Sequence, residues 1–127
     1  MKIRVENLDE SLTTKFVNFC CEELQISPNY IEVVGDDWEG DNTGLCVDLD
    51  EKDFLVVVST KDRNLTQIYT TIAHELIHVK QHMKNGLGSL LDAKNKPPYT
   101  QRWWEKEARE KSSDFVKKFV DILEQTS

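Results

Sequence analysis

His74, Glu75 and His78 fall in the stretch TIAHELIHVKQ (71–81), two imidazoles four residues apart with a carboxylate after the first. On an α-helix that spacing offsets the two histidines by about 40° and raises one about 6 Å above the other, so both rings point the same way. Two such rings can reach a single ion at roughly 2.0–2.1 Å each. Glu75 lies about 100° round from His74. It is poorly placed as a third ligand and well placed to hold a water beside the ion. Zinc lowers the pKa of such a water towards ~7, and a neighbouring glutamate can take the proton. The stretch therefore supplies two metal ligands, His74 and His78, and a general base, Glu75.

The bland alternative is an ordinary helix carrying two hydrogen-bonded histidines. Histidine is scarce here, with three in 127 residues, and Ala73, Leu76 and Ile77 give the flanking apolar surface of a buried helix. Both observations favour the metal reading. The third histidine, His82, continues the spacing but lies about 12 Å along the axis from His74, too far to share one ion; it is expected at the surface of the last turn. A longer metzincin-type motif would need Gly at Gln81 and His at Lys84, and neither is present. The third ligand must come from another segment. The richest is RWWEKEARE (102–110), where Glu105, Glu107 and Glu110 follow two tryptophans. Two histidines and one carboxylate are a common catalytic zinc set that leaves a position for water.

These groups need elements to hold them. Residues 9–25 carry Leu12, Phe16, Phe19, Cys20 and Leu24 at helical spacing, with Asp9 or Ser11 as cap and Ser27-Pro28 as stop. YIEVVGD (30–36), LCVDL (45–49) and FLVVVS (54–59) read as strands, the last two joined as a hairpin through DEKD. FLVVV is apolar throughout, which predicts cover on both faces. From Asn64 the period becomes helical, through Leu65, Ile68, Ile72, Leu76, Val79 and Met83, with Asn64 or Thr66 as cap and Gly86 and Gly88 at the end. GLGSLLDAKNKPP is a loop. A last helix runs from about Thr100 to Leu123 on a stripe of Trp104, Ala108, Phe115, Phe119 and Ile122. The expected fold is α+β: an N-terminal helix, a small three-stranded, mainly antiparallel sheet, the histidine helix and a C-terminal ligand helix. The 127 residues make one domain, 1–127, with a single core.

Composition narrows the partners. A net charge of -7 disfavours direct nucleic-acid binding and repels anionic membranes. No stretch approaches the ~20 apolar residues of a spanning helix, and MKIRVENLDE has no signal-peptide pattern. Three cysteines, two of them adjacent, cannot pair fully. They fit small buried residues in a reducing cytoplasm.

HELIHVKQ and PYTQRWWEKEA together resemble the gluzincins, zinc peptidases with HExxH on one helix and a glutamate on a following helix. The closer likeness is to the compact minigluzincins and related phage or bacterial single-domain proteins, and it covers about residues 30–115. The resemblance implies a zincin-like fold, one Zn2+ and hydrolysis of a protein or peptide substrate. In that family a Glu-Ala pair marks the ligand helix, which carries the third-ligand role to Glu107 before Ala108, with Glu105 and Glu110 as rivals. The family pattern also has an aspartate a few residues further on; Glu110 or Lys111 stands there instead. Tyr99 or Arg102 would steady the oxyanion, and strand 54–59 would run along the cleft. The competing expectation is a zinc-containing binding or regulatory protein of the same fold that lacks turnover.

Overall fold

A computed structural model describes residues 1–38, 43–50, 52–85 and 103–126. Among them, three helices and a four-stranded mixed sheet make an α+β fold. In chain order these are β1 (Lys2–Glu6), α1 (Glu10–Leu24), β2 (Tyr30–Asp36), β3 (Gly44–Asp50), β4 (Asp53–Ser59), α2 (Leu65–Asn85) and α3 (Trp103–Thr126).

The expected three-stranded, mainly antiparallel sheet is corrected. The strand order is β1-β2-β4-β3, and β1–β2 and β2–β4 are parallel; only the β3–β4 hairpin is antiparallel. β1 is five residues whose inward positions, Ile3 and Val5, alternate with Lys2, Arg4 and Glu6. Charge on an edge strand blunts further pairing, and it also hides the strand's apolar signal. The parallel β1–β2 pair is made possible by α1, which carries the chain from the end of one strand to the start of the next.

The sheet buries one face. Ile31 and Val33 of β2 and Phe54, Val56 and Val58 of β4 are buried, while Glu32, Val34, Leu55 and Val57 between them are only partly covered. FLVVV is therefore covered on one face, not two. Against that face lie α1 and α2, and α3 packs on α2 with a lesser contact to α1. α2 is thus enclosed between sheet and helix, which explains why Ile68, Ile72, Ala73, Leu76, Ile77 and Val79 are all buried although they circle the helix. Leu65, before the enclosed section, is exposed. On α3 the stripe keeps Trp104, Ala108, Phe115 and Phe119 inside and adds Val116, whereas Ile122 faces out.

Local chemistry sets where the helices begin. Asp9 caps α1 by accepting from the Leu12 amide at 2.8 Å, and α1 ends at Gln25 in the left-handed region, φ 56°. At α2, Asn64 Oδ1 accepts from the Gln67 amide and Gln67 Oε1 from the Asn64 amide, each at 2.9 Å, a reciprocal capping box. Arg63 then ties the end of β4 to the first turns of α2. Its guanidinium donates to the carbonyls of Ser59 and Gln67 and to the Thr71 hydroxyl. These bonds fix the rotation of α2 against the sheet, and so fix which way residues 74–78 face.

No described helix is long and apolar enough to cross a membrane. The three thiols are free. Burial pushes Cys21 up to about 12 and Cys20 well above its ordinary value, so both stay protonated as packing residues.

Candidate metal centre

α2 and α3 bring four groups together. His74, Glu75 and His78 each present a possible ligand atom, all within 4.8 Å of one another. Glu105, in the first turn of α3, completes the cluster. Its Oε1 lies 3.0 Å from His78 Nε2 and its Oε2 lies 3.4 Å from His74 Nε2. The two rings are nearly perpendicular, at 78°, with centroids 4.9 Å apart.

Those separations can be tested against a metal. Ligands bound tetrahedrally at about 2.0–2.1 Å stand roughly 3.3 Å from one another. The two nitrogen-to-carboxylate distances lie near that value but run to different oxygens of Glu105, one to each ring. Imidazole nitrogens and carboxylates suit a divalent metal such as zinc. His74 and His78, with Glu75 and Glu105 beside them, are the described residues that could hold such an ion.

The expected third ligand, Glu107, is elsewhere. Its carboxylate accepts from Lys80 Nζ at 3.1 Å on each oxygen, from Gln81 Nε2 at 3.0 Å and from Lys111 Nζ at 3.3 Å. Burial acts to raise its pKa, but the Gln81 amide and the two lysines outweigh that and hold it below the ordinary carboxylate range. Helical phase explains the exchange. Trp104, Ala108 and Ser112 are the buried seam of α3. Glu105 sits three residues before Ala108 and shares its face; Glu107, next to Ala108, is turned about 100° away. The structure thus sets Glu105, and not the expected Glu107, against the two histidines. Glu110 is exposed and stands 4.0 Å from Lys106. Tyr99 and Arg102 lie outside the described residues.

Glu75 is 6% exposed. Burial raises its pKa, opposed by His78 and His74 and reinforced by Glu105. For His78, burial acts downward, but the hydrogen bond to Glu105 and the charges around it win, and the pKa rises. Two residues the sequence reading passed over shape this environment. A Cβ on Gly44, at the start of β3, would stand 2.6 Å from Thr71 Cγ2 and 3.1 Å from Glu75 Cγ, so only glycine lets the strand pass over the Glu75 stem. Gln81 is fully buried, and its Oε1 lies 2.7 Å from His78 Nδ1. His82 is half-buried rather than at the surface, its ring centroid 6.0 Å from that of Phe54.

The strand beside the site also differs from expectation. β4 lies between β2 and β3 and has both edges paired, so among the described residues β3 is the edge strand on this side. It is β3 that crosses Glu75. Compared with known protein families, curated proteins and solved structures, the chain matches none.

Proposed function

We propose that this chain is a zinc-dependent metallopeptidase whose metal is held by His74, His78 and Glu105. The observation that supports it is the convergence of two Nε2 atoms on the two oxygens of one carboxylate, at 3.0 and 3.4 Å, with a second carboxylate, Glu75, close beside them. Zinc, when bound, supplies a Lewis acid that acidifies a ligated water and polarises a carbonyl.

The chain's own groups do the rest. Glu75 accepts a proton on its carboxylate and delivers it to the departing amine. Burial of its stem beneath Gly44 fixes where that carboxylate sits. An extended peptide aligned along the edge of β3 that no described strand pairs with would bond to its backbone and pass over Glu75. That edge is exposed at Leu45 and Leu49, which offers apolar contact to alternate side chains of such a peptide.

The deciding experiment pairs Glu75→Gln with wild type, reading bound zinc by mass spectrometry and cleavage of a diverse peptide library. About one zinc per chain is expected in both, with cleavage reduced on the order of 10²–10⁴-fold in the variant. Equal cleavage rates would remove Glu75 from the mechanism. Zinc retained with no cleavage by wild type would favour a binding protein of this fold.

A further inference from the structure

Gln81 has more to do than fill space. Its side chain is fully buried between α2 and α3 and every polar atom of it is engaged. Nε2 donates to the backbone carbonyl of Trp104 at 2.8 Å and to Glu107 Oε1 at 3.0 Å. Oε1 faces His78 Nδ1 at 2.7 Å.

The chemistry of the partners settles how the amide is turned. A backbone carbonyl can only accept, and Glu107 is kept ionised by Lys80 and Lys111. Turning the amide over would set its oxygen against two acceptors in a buried site. The NH2 group must therefore face Trp104 and Glu107, and the oxygen must face His78. An amide oxygen cannot donate, so the 2.7 Å contact requires the proton to be on His78 Nδ1.

We propose that Gln81 is a positioning residue that holds His78 as its Nδ1–H tautomer, and that Glu107 is the anchor that keeps Gln81 turned that way. The proposal rests on the metal reading of His74, His78 and Glu105 only for its functional consequence. Nε2 of the same ring faces the Glu105 carboxylate at 3.0 Å and donates to it in the metal-free protein; because Gln81 keeps the other proton on Nδ1, it is Nε2 that can give up its proton and offer a lone pair to an ion. The same amide reaches the other helix at Trp104, the residue before Glu105. One side chain thereby orients one ligand and anchors the backbone next to another. This gives Glu107 a role that does not touch the ion.

A carboxylate at position 81 would accept from His78 but could donate to neither Trp104 nor Glu107. That asymmetry supplies the test. The tautomer is read directly from imidazole 15N shifts of the metal-free Glu105→Ala protein at alkaline pH, where the ring is neutral and Nε2 no longer faces the Glu105 carboxylate, and zinc affinity of otherwise wild-type protein from chelator competition at one pH. His78 should show Nδ1–H in Glu105→Ala and should lose that single tautomer when Gln81→Leu, which nearly preserves volume, is added. Gln81→Leu alone should weaken zinc about 10–100-fold, with the folded far-UV spectrum kept. Gln81→Glu should also weaken zinc, and Gln81→Glu combined with Glu107→Gln should recover much of it, because the new amide at 107 can donate to the new carboxylate.

An Nε2–H tautomer in folded Glu105→Ala would overturn the proposal. So would a tautomer and a zinc affinity that Gln81→Leu leaves unchanged, or Gln81→Glu with Glu107→Gln no better than Gln81→Glu alone. Should Gln81→Leu fail to fold, that pair of substitutions and the Glu105→Ala tautomer still decide. Nδ1–H in Glu105→Ala beside a wild type that binds no zinc would sink the metallopeptidase reading and leave the tautomer assignment standing.

Discussion

The two halves of α3 hold to the rest of the molecule in different ways. Its first turns meet α2 through named polar contacts: Glu105 with His74 and His78, the Trp104 carbonyl with Gln81, and Glu107 with Lys80. Its later turns meet α1 through rings. Phe119 packs edge-on to Phe16 with centroids 5.0 Å apart, and Phe115 packs edge-on to Phe19 at 6.4 Å. The aromatic half depends on buried area, which tolerates small displacements and contributes stability. The polar half depends on direction and distance. Bringing His78, Glu75 and Gln81 out of water costs free energy unless every partner is in place. Stability and chemistry are thus carried by separate stretches of one helix, and single substitutions should pull them apart.

The largest separation is expected in metal content. Glu105→Ala should leave a folded chain that loses its zinc on dialysis, while Glu107→Ala should keep zinc stoichiometry and lose only affinity; mass spectrometry of dialysed protein reads both. The reverse pattern would return the ligand role to Glu107. In the aromatic half, Phe16→Ala removes a ring with no exposure and should cost about 3–5 kcal/mol in urea unfolding. At a denaturant-free temperature where the variant is folded, its zinc affinity should match wild type.

Gly44→Ala tests the contact of β3 with the site from the other side. The added methyl meets Thr71 and the Glu75 stem, and overpacking of this kind costs about 1–3 kcal/mol. Its expected signature is cleavage reduced more than zinc content, since Glu75 moves and the ligands do not. The smallest effect belongs to Lys111→Ala. Lys111 is about half exposed and pairs with Glu107 one turn away, so its loss should cost about 0.3–0.5 kcal/mol. A larger loss of zinc affinity than Lys80→Ala would place the main support of Glu107 at its exposed rather than its buried partner.

What could be read from the chain alone follows the range of the interactions. HELIH is legible because a helix fixes the relation of residues four apart without help from the fold. The helices and the β3–β4 hairpin are legible for the same reason. β1 escaped because its five residues acquire meaning only when paired with β2, some 28 residues away in register, as with Lys2 and Tyr30. The placement of Glu105 is hidden for a subtler reason. Glu105 and Glu107 lie on either side of the buried seam of α3, a little over half a turn apart, and only the packing of α3 on α2 decides which of them meets the histidines. Gly44 and Gln81 are ordinary residues until a strand crosses one and an acceptor faces the other. No local pattern in the sequence encodes either event.

α3 makes its contacts with α2 and α1, and it alone carries Glu105. The two imidazoles belong to a helix locked between sheet and helix, whose amides should exchange with solvent only when the whole core opens. The carboxylate belongs to a helix that can lift away in a smaller opening. On the proposed metal reading, retention of an ion would therefore be coupled to the docking of α3. By linkage, an ion that binds the assembled centre and not the opened one would slow hydrogen exchange along α3 by the same factor that it gains in affinity from Glu105.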